Sequence, residues 1–115
     1  MKAKQILILT FIFLTTIATQ VYAEKWYVGG SLHQGTAGEW HKASYKNRLA
    51  TSGDFITATT PEHLKNKLFQ NDMAGIKSRA IALEKCISSA TNDPKLYSMR
   101  ISEIAASCLI LLGFN

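Results

Sequence analysis

The chain has 115 residues and a formal net charge of +5. That length accommodates one domain, and the charge is carried by Lys42, Lys46, Arg48, Lys65, Lys67, Lys77, Arg79, Lys85, Lys95 and Arg100, scattered among acids rather than gathered in a patch. The pattern excludes a nucleic-acid-binding protein and leaves room only for weak attraction to an anionic membrane or cell-wall surface.

Lys2 and Lys4 precede an apolar run over residues 6–17, and the polar Thr15, Thr16, Thr19 and Gln20 close it. The run is about a dozen residues, where a bilayer span needs about 20, so it reads as a secretory signal peptide rather than an anchor. Val21-Tyr22-Ala23 supplies small or modest residues at the cleavage-determining positions, which places cleavage after Ala23 and the mature protein in the periplasm or outside the cell. Taking 23 residues from 115 leaves 92, and losing two lysines lowers the net charge from +5 to +3.

Residues 24–35 have two aromatics beside two glycines and no helical period, and read as an irregular N-terminal arm. Within and after it, Gly30-x-x-x-x-Gly35 followed by Thr36 imitates a phosphate-binding loop, but Thr36 stands where the lysine belongs and no buried strand precedes it. The competing reading is stronger. Thr36-Ala37-Gly38-Glu39 is a capping box, with Leu32 and Trp40 near the spacing of a hydrophobic staple. The spacing of Trp40, Ala43, Tyr45, Leu49 and Ala50 predicts one helix from Ala37 onward, ended or bent at Gly53 and continuing to about Ala58.

Thr60-Pro61-Glu62 is a second start signal, with Thr60 as the cap and proline in the first turn. The pattern stutters at residues 70–72, where Asp72 is a candidate cap. Met73, Ile76, Ala80, Leu83, Ile87 and Ala90 then form an apolar stripe at steps of three and four. Residues 91–94 are a break, and a last helix carries Tyr97, Ile101, Ile104, Ala105, Cys108, Leu111 and Leu112 to a cap at Gly113. The expected fold is therefore all-α, a small single domain of about four helices over residues 24–115.

Cys86 and Cys108 are the only cysteines. An even pair in an exported chain predicts a disulfide between the last two helices, against the alternative of two small buried hydrophobes. A tight hairpin turning near residue 92 would miss the required register by roughly 13 Å, beyond the limit of about 7 Å between bonded Cα atoms. An extended connection over residues 90–95 spans roughly 17 Å and would absorb the offset. The first turns of the last helix, with Leu96, Tyr97 and Met99, would then overhang the earlier helices.

His33, His41 and His63 are scattered without metal-ligand spacing, so neither a metal nor a cofactor is expected. The acids are accounted for by helix starts or by lysine neighbours, as in Glu84-Lys85, and no nucleophile, base and orienting group fall together. An enzyme is not expected. Trp26, Tyr27, Trp40, Tyr45 and Arg48 are the interface candidates, because Trp, Tyr and Arg are the residues with which proteins grip partners; the competing role for the tryptophans is to fill a small core. Two function classes follow: a non-catalytic envelope protein acting by contact, such as a chaperone-like, inhibitory or immunity factor, and a secreted effector or toxin-like protein; a third and weaker one, an enzyme or small-ligand carrier, would need a formed apolar cleft with two convergent polar groups.

Overall fold

The computed structural model describes residues 25–114, apart from the side chains of Asn71 and Asp72. The expected signal peptide lies outside the described residues. Five α-helices follow an arm over residues 25–35 that forms no helix: α1 (Ala37–Lys42), α2 (Tyr45–Thr59), α3 (Glu62–Leu68), α4 (Gln70–Ala90) and α5 (Ile101–Leu112), with a 3-10 turn at Pro94–Leu96 before the last. No strand forms among the described residues, and the fold is all-α as its periodicity requires.

Helix α4 is the axis, and α2, α3 and α5 all pack on it. Its stripe of Ile76, Ala80, Leu83 and Ile87 is fully buried against Ile56 of α2, Ile101 of α5 and Trp40 of α1. Burying each of these large side chains contributes roughly 1.5–3 kcal/mol, which is why a 21-residue helix of only moderate propensity holds its place.

The first helix starts where its capping box predicts. Thr36 Oγ1 accepts from the Glu39 amide, and its own hydroxyl donates to Glu39 Oε1, both at 3.3 Å. The helix stops sooner than the apolar rhythm suggests. Ala43 adopts ψ 161° and Ser44 caps a new helix by accepting from the Asn47 amide at 3.2 Å, so the single helix expected from Ala37 is two. Gly53, expected to end or bend it, lies buried within α2.

Thr60 also behaves differently from expectation. It ends α2 rather than capping α3: its hydroxyl donates back to the Ile56 carbonyl at 2.6 Å, and Pro61 takes the cap position without any side-chain bond. The chain is then helical again from Gln70, ahead of the start considered at Asp72, whose side chain lies outside the described set. The stutter there survives as one residue in left-handed conformation, Met73 at φ 62°.

The connection between α4 and α5 corrects the predicted overhang. Residues 91–100 are not helical beyond the 3-10 turn, because their carbonyls serve α1: Ala37 donates to Met99 at 2.8 Å and Gly38 to Tyr97 at 3.0 Å. In return the Ile101 amide donates to Gly35 at 2.9 Å. Tyr97 and Met99 therefore belong to a loop that receives the start of α1, and the last helix begins at Ile101.

This later start sets the disulfide register. Cys108 lies seven residues into α5 and Cys86 four before the end of α4, roughly 10 and 6 Å along their axes. The two are bonded, with Cα atoms 5.9 Å apart. Closing a 22-residue separation contributes about 3 kcal/mol in the chain-entropy account. Gly113 ends α5 in the left-handed conformation expected of a cap, at φ 73°.

Because the Thr36 side chain satisfies an otherwise orphaned amide of α1, Thr36→Ala should lower unfolding free energy by about 1 kcal/mol. Urea denaturation followed by circular dichroism measures it, and an unchanged midpoint would contradict the cap.

Candidate functional site

The arm is fastened to one face of α2. Asn47, Thr51 and Asp54, spaced at i, i+4 and i+7, receive it in turn: Asn47 Oδ1 accepts from the Ser31 amide at 2.9 Å, Thr51 Oγ1 from the Leu32 amide at 3.3 Å, and Asp54 Oδ2 pairs with His33 Nε2 at 2.7 Å. Gly30 permits that approach, since a Cβ there would lie 2.7 Å from the Thr51 nitrogen. Gly30 is thus a close contact, while its neighbour Gly29 takes the left-handed conformation at φ 93° with open space around it.

This placement separates the aromatic residues that the sequence suggested as one interface. Trp26 is half-buried over Gly53, where a Cβ would come within 2.8 Å of its ring, and Tyr27 meets it edge to face at 5.6 Å. The Trp26 indole N–H is buried without a hydrogen-bond partner among the described residues. Tyr45 begins α2, eight residues before Gly53 and so about 12 Å away along the axis. Trp40 has no exposed surface at all. It is a core residue, and its candidacy as a partner contact is withdrawn on that ground. The staple geometry explains the outcome, since Leu32 and Trp40 both turn inward at the entry to α1.

Trp40 is instead the first member of a polar chain joining three helices. Its Nε1 donates to Ser88 Oγ at 2.9 Å, and Ser88 donates to Glu84 Oε1 at 2.9 Å. The same oxygen receives Arg48 Nε at 2.9 Å, while Arg48 Nη1 donates to the Ala43 carbonyl at 2.8 Å, beside the break between α1 and α2. Glu84 therefore pairs with Arg48 across the fold, not with its neighbour Lys85. Tyr45 lies with its ring 5.9 Å from the Arg48 guanidinium and is half exposed.

Beside this chain His41 is fixed by two contacts. Its Nε2 lies 2.9 Å from Thr91 Oγ1, and its ring stacks on Tyr97 at 5.3 Å. Thr91 donates its own proton to the Ile87 carbonyl at 2.7 Å, which leaves its oxygen to accept from His41 Nε2.

Between Arg48 and His41 lies a cleft of about 480 Å³, lined by His41, Arg48, Glu84, Ser88, Ser89 and Asn92. Of the five interface candidates Arg48 lines the cleft, Tyr45 lies against Arg48, and Trp40 reaches it only from the core through Ser88. The sequence reading missed the other members because Glu84 and Ser88 flank an apolar stripe, where a polar i, i+4 pair reads as solvated surface. The signal available was that pair itself, adjacent to buried positions of α4. Chemically the cleft offers donors and acceptors together: Ser89 and Asn92 side chains make no hydrogen bond among the described residues, and three of the five Arg48 N–H groups are uncommitted.

No family model, curated protein or solved structure matches this chain. Among the described residues, no three of His, Cys, Asp and Glu gather as a metal site, and no helix is long and apolar enough to cross a membrane.

Since the Trp40 ring fills the core and binds Ser88, Trp40→Ala should destabilise by about 3–5 kcal/mol. Thermal and denaturant unfolding of the variant checks this, and a midpoint near that of the unaltered protein would return Trp40 to the list of surface contacts.

Proposed function

We propose that this is a small exported protein, periplasmic after cleavage near Ala23, that acts without chemistry of its own by binding an envelope protein, as a chaperone-like, inhibitory or immunity factor does. The observation that carries the reading is the pairing of Tyr45 and Arg48 at the mouth of the cleft. Tyr45 is 50% exposed and leans on a guanidinium whose position is set by Glu84 and by the Ala43 carbonyl. An aromatic and an arginine held in advance lose little side-chain freedom on binding, which is the usual property of contact hot spots. The Cys86–Cys108 bond fits an oxidising compartment. Trp26 and Tyr27, on the arm where it crosses Gly53 of α2, form a separate half-buried patch.

The alternative, a secreted effector or toxin-like protein acting on another cell or membrane, draws on the end of α5. There Ile110 and Leu111 project, 65% and 80% exposed. Retention in the periplasm favours the contact reading, and release into the medium favours the alternative.

Tyr45→Ala removes an exposed side chain that supports no core residue, so its unfolding midpoint should stay within about 0.5 kcal/mol of the original. Purification of tagged protein from its own cells should recover an envelope partner with the unaltered chain and lose it with Tyr45→Ala. Equal recovery with both would remove Tyr45 from the site.

A further inference from the structure

We infer that the cleft between α1, α2 and α4 binds an uncharged, hydroxyl-rich ligand, a sugar residue of a glycan chain. This goes beyond binding to a protein partner and does not depend on it.

Three properties of the cleft select that chemistry. Its lining is polar throughout, with no large apolar side chain among His41, Arg48, Glu84, Ser88, Ser89 and Asn92. Small-ligand clefts of this size, within the usual range of roughly 300–1,000 Å³, are ordinarily apolar. A lipid or other apolar ligand would leave these groups desolvated and unpaired, which disfavours it.

The cleft is also balanced in charge. Arg48 and Glu84 meet at 2.9 Å and their charges cancel, so neither a phosphate nor a carboxylate finds a net attraction there. What remains is hydrogen-bonding capacity of both senses. The free N–H groups of Arg48 donate, Glu84 Oε2 accepts, and the Ser89 hydroxyl and Asn92 amide do both. A hydroxyl both donates and accepts, so adjacent hydroxyls on a ring match this lining as a charged ligand does not.

The neighbours of two lining residues supply the third property. Tyr45, half exposed, stands against Arg48 on one side, and Tyr97, 36% exposed, stacks on His41 on the other. An aromatic face is negative at its centre, and the C–H face of a sugar ring is weakly positive. The exposed part of each ring, beside the face given to Arg48 or His41, is where the apolar C–H face of a pyranose would rest while its hydroxyls reach the polar floor. A peptide strand lacks the matching opportunity, because the cleft walls are helices with no open strand edge to pair with.

The test is an NMR titration of the mature protein with neutral tetramers of N-acetylglucosamine and of glucose, set beside glucuronate, inorganic phosphate and a blocked trialanine peptide. A neutral tetramer should move the amide signals of Ser88, Ser89 and Asn92 saturably, more tightly than any of the other three. The double variant Ser89→Ala, Asn92→Ala touches two exposed side chains without hydrogen bonds, so it keeps its fold. It should weaken sugar binding by about tenfold, the size of one or two lost hydrogen bonds. No saturable shift with either tetramer, equal affinity in the double variant, or tighter binding of glucuronate, phosphate or peptide would each overturn the inference. Because Tyr45 is left intact and no protein partner enters the measurement, failure here is distinct from failure of the contact reading.

Discussion

One carboxylate oxygen organises this protein. Glu84 Oε1 accepts from Arg48 on α2 and from Ser88, and Ser88 in turn accepts from Trp40 on α1, so three helices are registered against each other through this oxygen and the Ser88 hydroxyl bonded to it. Glu84 is only 7% exposed, which makes the arrangement consequential in both directions. With its donors in place each charged hydrogen bond contributes about 1.5–3 kcal/mol, and with one removed a poorly solvated charge is left behind. The short α1 depends on this junction most. Six residues make too few intrahelical bonds to hold a helix in isolation, so α1 exists because its tryptophan is anchored at one end and its amides are received by the 91–100 loop at the other.

The same junction shapes the cleft that we propose as the binding surface. Arg48 is pulled inward by Glu84 and held by the Ala43 carbonyl, and the space left between it and His41 is the cleft. Tyr45 and Tyr97 are then positioned by their contacts with the two cleft walls rather than by burial. The frame behind is rigid, since the disulfide fixes α5 on α4 and the Asn47, Thr51 and Asp54 face fixes the arm on α2. Under the proposed reading stability and recognition share residues, and substitutions at Arg48 or Glu84 would alter both.

What was legible in the sequence was local. The capping box at Thr36, the apolar stripe of α4, the break at residues 91–94 and the cap at Gly113 are each specified within a few residues, and the structure follows them. Apart from the break at Ala43, where the reading departed a long-range partner decided. At Ala43 the one local signal is the Ser44 cap on Asn47, and the Arg48 bond to the Ala43 carbonyl reinforces the break from within α2. Residues 95–100 carry a helical pattern, yet α1 claims the Tyr97 and Met99 carbonyls. The pair at Cys86 and Cys108 was readable as a disulfide, but its register followed from that delayed helix start. The site was the least legible part, since pairing Glu84 with Arg48 spans 36 residues and no pattern within one helix encodes it.

The claim that Glu84 and Arg48 act as a unit is tested most directly by a double-mutant cycle. Arg48→Met, Glu84→Gln and the double variant would be compared with the unaltered protein by denaturant unfolding. Two residues bonded this closely should show a coupling energy of about 1–2 kcal/mol, with the double variant more stable than the sum of the two losses implies. Additive losses, with coupling indistinguishable from zero, would mean that the junction does not organise the fold and that the cleft is not held by it.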